Sequence, residues 1–257
     1  MLSTPTSSGS YLGVERSLTG RRWLARAVDE RLAMALGQRH GLPELVCRVL
    51  AGRGVDLERA QTWLDPRLRD HLPDPALLID MDKAVARLVR AVEAGEGVAI
   101  FGDYDVDGAT ATALLLRYFG TLGIPARAYI PDRLTEGYGP NSQALLKLGA
   151  EGWRLVVTVD CGTMAHAPLA DAAAAGIDVV VIDHHQCDEP VPRAVAVVNP
   201  RRRAQAHGPS LADLAAVGVV FMLTVALNRA LRERGWFAHS GRPEPDSRSN
   251  RIARLTP

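Results

Sequence analysis

The stretch VAIFGDYDVDG, residues 98–108, decides the fold of this chain. Its first five residues carry no polar side chain, which is the pattern of a strand buried on both faces of a sheet. Three aspartates follow at positions 103, 105 and 107, and a glycine then precedes the alanine-rich stretch 109–121. The stretch therefore predicts a buried strand, an acidic loop and a helix in direct succession.

The same alternation of strand and helix continues toward the carboxyl terminus. Short runs rich in β-branched residues predict further strands, and the stretches between and after them predict helices: strands at 126–130, 154–159, 178–182 and 194–198, helices at 109–121, 141–149, 166–175 and 211–234. Strands that are apolar throughout and alternate with helices favour parallel crossovers. We therefore predict an α/β domain over 96–235, with a doubly wound, mostly parallel five-stranded sheet and helices on both faces.

The segments on either side of this domain have different patterns. Apolar residues recur at three- and four-residue spacing across 21–95, which predicts a helical amino-terminal region. Residues 1–20 are rich in serine, threonine and glycine and predict a disordered arm. Residues 236–257 contain few apolar residues and predict a disordered polar tail.

Composition excludes several classes of protein. With 257 residues, of which 47% are hydrophobic, the chain can bury a core and is not a disordered protein. The net charge of +1 indicates no general affinity for nucleic acid or membrane surfaces. The longest apolar run, 214–227, is too short to span a bilayer. The three cysteines form no C-x-x-C pair, which argues against disulfides and zinc fingers and predicts a cytoplasmic protein.

Acidic residues follow three of the five predicted strands. They are Asp103, Asp105 and Asp107 after 98–102, Asp160 after 154–159, and Asp183, with His184 and His185, after 178–182. The carboxyl ends of parallel strands lie at one edge of a sheet, where ligands bind. Five carboxylates at one edge would repel one another unless cations neutralised them. The sequence therefore predicts a metal site at this edge.

The types of side chain indicate which metal. Carboxylates with one or two imidazoles and no thiolate suit Mn²⁺ or Mg²⁺ better than zinc or copper, and we favour Mn²⁺. Carboxylates can bridge two ions about 3.5–4 Å apart, an arrangement that hydrolyses phosphoesters or phosphoanhydrides. Because adjacent histidines at a strand end point in different directions, we expect His184 to bind metal and His185 to meet the substrate phosphate.

Each acidic segment has a second interpretation. Asp-x-Asp-x-Asp-Gly also opens an EF-hand calcium loop, although Leu114 stands where that loop has glutamate, and a strand precedes it instead of a helix. Asp160 by itself could be the N-cap of the helix 166–175, and either histidine by itself could be a core or turn residue. The coincidence of three acidic strand ends favours the metal site.

Two further residues are candidate substrate contacts. Gly108 precedes a predicted helix, whose free amides can hold a phosphate oxygen. Arg133 follows the strand 126–130 and is a candidate phosphate contact, with surface pairing to Glu136 as the alternative. Tyr138 lies between two glycines and is expected to be exposed.

The segments DYDVDGATATALLL, VTVDCGT and VIDHHQ together resemble the DHH phosphoesterase superfamily, which is named for a motif of the Asp183-His184-His185 type. The segments YIPDRLTEGYGPN, VVNPRR and VGVVFML narrow the resemblance to the RecJ family of bacterial single-strand-specific 5′-to-3′ DNA exonucleases. The resemblance covers about residues 40–245.

The resemblance implies a nuclease of DNA recombination and repair that acts on single-stranded DNA and uses Mn²⁺ or Mg²⁺, with two ions in the intact enzyme. It also implies single-strand binding protein as a partner and no membrane association. By position, it implies metal ligands at Asp105, Asp107, Asp160 and His184, a residue acting at the scissile phosphate at His185, and supporting acids at Asp103 and Asp183.

The carboxyl-terminal segment departs from the pattern of the family. RecJ proteins continue into a helix and strand with a fourth acidic metal ligand, a DHH-associated domain and an OB-fold, whereas DSRSNRIARLTP, residues 246–257, resembles nothing in the family. We therefore expect a truncated catalytic part whose activity is in question. Two alternatives stay open: a small-molecule DHH phosphoesterase acting on oligonucleotides, cyclic dinucleotides or pyrophosphate, and a non-catalytic metal-binding remnant.

Overall fold

The structure is a computed structural model that describes residues 10–24, 27–202 and 211–245. The chain divides into two compact units, Met1–Leu72 and Pro73–Pro257. The arm predicted for residues 1–20 is described from residue 10, and it includes a 3₁₀ turn at Tyr11–Gly13, while residues 1–9 lie outside the described ranges.

The first unit is helical, as the spacing of its apolar residues predicts. Its helices are α1 (Glu30–His40), α2 (Glu44–Gly52), α3 (Ala60–Leu64) and α4 (Leu68–His71). Helix α1 begins where the Asp29 carboxylate accepts two backbone N–H groups of the first turn, and it ends at Gly41 in the left-handed conformation. Buried Leu36, Cys47 and Leu50 form part of the core between α1 and α2.

The second unit alternates strands and helices. Its elements are α5 (Met81–Ala94), β1 (Val98–Phe101), α6 (Val106–Leu122), β2 (Ala126–Tyr129), α7 (Ser142–Ala150), β3 (Leu155–Val159), α8 (His166–Ala174), β4 (Asp178–Ile182), β5 (Ala196–Val198), α9 (Ala216–Glu233) and α10 (Trp236–Ser240). All predicted strands are present, close to their predicted bounds. Helix α5 belongs to this unit, although the predicted helical region extended to residue 95, because α5 packs against β5 and α9.

The strands form one parallel sheet in the order β2-β1-β3-β4-β5. Helices α7 and α8 share a buried cluster with one face of the sheet, to which β1 contributes Ala99 and Phe101. Helix α9 packs against both α5 and α6, and all three helices pack against strands of the same sheet. The predicted doubly wound α/β fold is confirmed. Its strand order reverses between β1 and β3, so the carboxyl ends of these two strands flank the crevice in which such folds bind ligands.

Two helices begin elsewhere than predicted, and both differences concern this edge of the sheet. Helix α6 starts at Val106 instead of 109, because the Asp105 carboxylate caps it by accepting the N–H of Gly108. Helix α9 starts at Ala216 instead of 211, and the preceding turn leaves the Leu214 carbonyl outside the helix.

The predicted polar tail begins with ordered structure. Helix α10 occupies Trp236–Ser240, and the Glu244 carboxylate accepts hydrogen bonds from Asn228 at 2.8 Å and from Arg232 Nε at 2.7 Å. These contacts hold the segment on α9, while the rest of the predicted tail, 246–257, lies outside the described residues. None of the helices in the described ranges combines the length and hydropathy that crossing a bilayer requires.

Candidate active site

The loop after β1 brings two acids and a glycine together. Asp103 is buried, and Asp105 accepts the N–H of Gly108 at 3.1 Å as the N-cap of α6. This backbone hydrogen bond lowers the pKa of Asp105. A Cβ at Gly108 would lie 2.4 Å from the Asp103 carbonyl oxygen, so the loop closes only on a residue without a side chain. Gly108 thus has a packing role, and its predicted contact with substrate stays a prediction.

Replacement of Gly108 by alanine is expected to lower the free energy of unfolding by ~1–3 kcal/mol, because the new methyl group must displace the Asp103 backbone. Gly120 is the matched control: it lies in the same helix, and a Cβ there would meet no described atom within 4 Å. Gly120→Ala is expected to raise that free energy by about 0.5–1 kcal/mol. Urea unfolding of both variants measures the difference, and equal values would contradict the close approach.

Asp160 follows β3 in an unusual conformation. Its φ is 63°, in the left-handed region, and its carboxylate is buried. The Tyr138 hydroxyl donates to its carbonyl oxygen at 3.0 Å. Burial and the neighbouring Asp105 carboxylate raise the pKa of Asp160 to about 7. Asp160 does not cap α8, whose N-cap is Ala165, so the alternative interpretation as an N-cap is wrong.

Both carboxylate oxygens of Asp183, at the end of β4, accept hydrogen bonds from other groups of the protein. Its Oδ1 accepts the N–H of His184 at 2.7 Å and Nδ1–H of His185 at 2.8 Å, and its Oδ2 accepts the N–H of Thr163 at 3.1 Å. Burial raises the pKa of Asp183, but the hydrogen bonds from His185 and Thr163 outweigh it and hold the pKa at about 2. Asp183 is therefore placed to order the loop and the His185 ring.

The two histidines after Asp183 have different partners, as their adjacency predicts. Nδ1 of His184 lies 3.1 Å from the Leu214 carbonyl oxygen. Because a carbonyl can only accept, Nδ1 carries a proton, so the neutral form of this ring has its lone pair on Nε2. This Nε2 lies 3.1 Å from Asp160 Oδ1 and 3.6 Å from Asp107 Oδ2. A lone pair facing two carboxylates is repulsive without a cation between them.

His185 is half exposed at the mouth of the site. Its Nδ1 donates to Asp183 Oδ1, and this hydrogen bond raises the pKa of His185. The rings of His184 and His185 are 4.8 Å apart between centroids and inclined by 64°. Since Nδ1 is engaged, Nε2 is the nitrogen of His185 that remains for a ligand.

A cleft of about 670 Å³ opens over these residues. Its lining includes Asp103, Asp105, Arg133, Tyr138, Asp183 and His185. The Arg133 guanidinium lies over the rings of Tyr104 and Tyr138, at 5.0 and 5.5 Å from their centroids. The alternative pairing of Arg133 with Glu136 is not seen, because Glu136 accepts from the Tyr129 hydroxyl and the Asp132 N–H.

The structure brings the predicted acids and histidines to one edge of the sheet. Ligand atoms of Asp103, Asp105 and Asp160 lie within 4.8 Å of one another, as do those of Asp160, His184 and His185, so the two groups share Asp160. Asp107 lies next to the second group, because its Oδ2 is 3.6 Å from Nε2 of His184. The sequence did not predict that Tyr138 contacts Asp160, that Thr163 contacts Asp183 or that Asn199 contacts His185. Thr163 and Asn199 follow β3 and β5, and their position after strands was the available signal.

The donors present fit a hard divalent cation. Asp103 Oδ1 and Asp160 Oδ1 are buried and accept no hydrogen bond from any described residue. Buried carboxylate oxygens without donors are unfavourable unless a cation pairs with them. Carboxylates with an imidazole and no thiolate are a ligand set suited to Mn²⁺ or Mg²⁺.

Comparison with known proteins gives matches across the segment that contains this site. Residues 97–244 match the family model described as the DHH family, N-terminal domain. The chain is 42% identical over 206 residues to the single-stranded-DNA-specific exonuclease RecJ of Dickeya dadantii, covering 80% of this chain and 35% of that protein. It is 35% identical to the RecJ exonuclease of Bacillus subtilis, covering 80% of this chain and 26% of that protein.

The fold matches a solved structure as well. The crystal structure of RecJ in complex with Mn²⁺ from Thermus thermophilus superimposes with a TM-score of 0.63 at 26% sequence identity, covering 86% of this chain and 29% of that one. The chain thus spans about a quarter to a third of the length of the curated relatives that it matches, 35% for Dickeya dadantii and 26% for Bacillus subtilis.

Proposed function

Because this chain belongs to the DHH family, we propose that it is the catalytic part of a divalent-metal-dependent phosphodiesterase that removes nucleotides from the 5′ end of single-stranded DNA. The observation that carries the proposal is the set of donors at the reversal point of the sheet. There, Asp103 Oδ1 and Asp160 Oδ1 are buried and accept no hydrogen bond from the described residues, and Asp160 Oδ1 lies 3.1 Å from Nε2 of His184.

In this proposal the metal ligands are Asp105, Asp107, Asp160 and His184. A bound Mn²⁺ or Mg²⁺ would polarise the phosphate and lower the pKa of a water molecule. The Leu214 carbonyl fixes the tautomer and orientation of His184, as outer partners of metal-binding histidines do. Tyr138 holds the backbone of Asp160 in the left-handed conformation that directs its carboxylate into the site.

His185 acts at the scissile phosphate. The hydrogen bond to Asp183 favours its charged form, whose Nε2–H can donate to a phosphate oxygen as negative charge develops there. Asp183 orients this ring and stabilises its charge. Asp103 supports the site with a buried carboxylate that lies beside those of Asp105 and Asp160.

The cleft supports single-stranded DNA as the substrate. Tyr104 and Tyr138 are each about half exposed, at 54% and 50%, and offer ring faces to unpaired bases. Arg133 between them places a cation beside the path of a phosphate. The relatives at 35–42% identity are named for the same substrate and for exonuclease activity.

Further parts of the proposal come with the family. We include two ions in the intact enzyme, since the two groups of candidate ligands, Asp103 with Asp105 and His184 with His185, share Asp160. We also include a role in DNA recombination and repair, single-strand binding protein as a partner, and action in the cytoplasm.

The experiment that tests the proposed function is Mn²⁺-dependent release of nucleotides from 5′-labelled and 3′-labelled single-stranded DNA by the 257-residue chain, with Asp160→Ala as control. We expect release from the 5′ end that the variant lacks. Faster hydrolysis of a dinucleotide than of long strands would favour a small-molecule phosphoesterase. No release beyond that of the variant, from a folded sample, would favour a non-catalytic remnant.

Replacement of Arg133 by alanine is expected to raise KM for single-stranded DNA by about tenfold with little change in kcat, because a phosphate contact outside the reacting centre contributes binding energy. It should also flatten the dependence of binding on salt. Arg90→Ala, which removes an exposed arginine from α5, is the control for the lost charge. Equal effects of the two substitutions on KM would contradict a specific contact.

A further inference from the structure

We propose that Asn199 is a positioning residue for His185, because its side-chain amide closes a ring of hydrogen bonds that fixes the position of the His185 imidazole. This role rests on the proposed function, in which His185 acts at the substrate phosphate. Asn199 is fully buried and follows β5 directly.

The ring joins the carboxyl ends of three neighbouring strands. Asn199 Nδ2 donates to Thr163 Oγ1 and to the carbonyl oxygen of His185, both at 3.0 Å. The N–H of Thr163 donates to Asp183 Oδ2 at 3.1 Å. Asp183 Oδ1 accepts Nδ1–H of His185 at 2.8 Å, which returns the circuit to His185. The loops after β3, β4 and β5 are therefore held by one closed set of hydrogen bonds.

Every polar group of the Asn199 side chain is engaged. Both N–H bonds of Nδ2 are used within the ring, and Oδ1 accepts the N–H of Arg201 at 2.8 Å. Because the amide is buried, water does not replace a lost donor, and the groups left unpaired carry their full desolvation penalty. An aspartate would have the same shape but could not donate, so the position requires the amide.

The ring fixes His185 at two points. Asp183 holds the imidazole through Nδ1, and Asn199 holds the backbone carbonyl of the same residue. The His185 side chain is 49% exposed, so packing restrains it little and these hydrogen bonds determine its position. A catalytic group displaced by about 1 Å can lose on the order of 10²-fold in rate.

The test begins with Asn199→Leu, which removes both donors, and with two variants of Thr163. Thr163→Val removes the acceptor Oγ1 from the ring, whereas Thr163→Ser keeps it. We expect Asn199→Leu and Thr163→Val to lower kcat by about 10–100-fold. KM for single-stranded DNA should change by less than about twofold. Thr163→Ser should retain wild-type kcat, and its failure to do so would overturn the role of the ring.

A double-mutant cycle separates positioning of His185 from a general structural role. If Asn199 acts through His185, Asn199→Leu lowers kcat in the wild-type background but not in a His185→Ala background. An equal fall in both backgrounds would overturn the proposal.

A spectroscopic measurement tests the ring without reference to activity. In ¹⁵N-histidine-labelled protein with Mg²⁺, the Nδ1–H proton of His185 should give a slowly exchanging signal. Asn199→Leu and Thr163→Val should remove this signal, and Thr163→Ser should keep it. The Nδ1–H of His184, bonded to Leu214, should be unchanged in all variants and serves as the internal control for folding.

The two proposals fail in distinguishable ways. Wild-type protein without hydrolysis, but with the expected loss of the His185 signal in Asn199→Leu, would overturn the proposed function and support the ring. Wild-type hydrolysis with an unchanged His185 signal in both Asn199→Leu and Thr163→Val would overturn the ring and leave the proposed function standing.

Discussion

Asp160→Asn is expected to lower metal-dependent hydrolysis on the order of 10³-fold while raising the melting temperature of the metal-free protein. Asp160 is buried beside Asp105, and its Oδ1 accepts no hydrogen bond from any described residue. Its charge is therefore unfavourable in the metal-free state and useful only toward a cation. Asparagine removes the charge and is tolerated at the φ of 63°.

Thermal unfolding with and without Mn²⁺ checks this prediction. Mn²⁺ should raise the melting temperature of the wild-type protein, since a ligand that binds only the folded state stabilises it, and the increase should be much smaller in Asp160→Asn. Asp171→Asn, which removes an exposed acid on α8, is the control and should respond to Mn²⁺ like wild type. An undiminished Mn²⁺ effect in Asp160→Asn would show that Asp160 is not a ligand.

His184→Ala and His185→Ala are expected to impair the enzyme in different ways. Loss of His184 removes a metal ligand and should weaken Mn²⁺ binding by at least about tenfold, with part of the activity recovered at high Mn²⁺. Loss of His185 should leave Mn²⁺ binding near wild type but lower kcat by about 10²–10⁴-fold at saturating metal, because a group acting on the phosphate is gone.

Titration with Mn²⁺ followed by electron paramagnetic resonance, together with kcat at saturating Mn²⁺, separates the two roles. The separation is needed because the ligand atoms of Asp160, His184 and His185 lie within 4.8 Å of one another, so His185 is also within reach of a cation held by the other two. Equal weakening of Mn²⁺ binding in both variants would make His185 a ligand and withdraw its separate role at the phosphate.

The sequence predicted the strands well because their signal is local. Residues 155–159 and 178–182 are apolar or β-branched at nearly every position, and both are strands buried along most of their length. Helix boundaries were predicted less well. The start of α6 depends on the Asp105 cap, and α10 is held near α9 by residues such as Glu244, which lies close in space to Asn228 and Arg232.

The identity of the acids at the site was also predictable, since each follows a strand. The hydrogen bonds and the pKa of each acid were not predictable from the sequence. Asp183 and Asp160 are both buried at neighbouring strand ends. Hydrogen bonds from His185 and Thr163 lower the pKa of Asp183, whereas Asp160 Oδ1 accepts no hydrogen bond from the described residues and the pKa of Asp160 is raised. Hydrogen bonds from the His185 ring and from Thr163, which lies 20 residues before Asp183 in the chain, make the difference.

The sequence by itself determined the α/β class, the strands and the residue types at the strand ends. These features are local, because a run of apolar residues predicts a strand buried on both faces and the next residues in the chain lie at its end. Only the tertiary structure decided the order β2-β1-β3-β4-β5, the contacts of Tyr138 with Asp160 and the ring closed by Asn199. Those depend on which strands lie side by side, and pairing between distant segments leaves no local pattern in the chain.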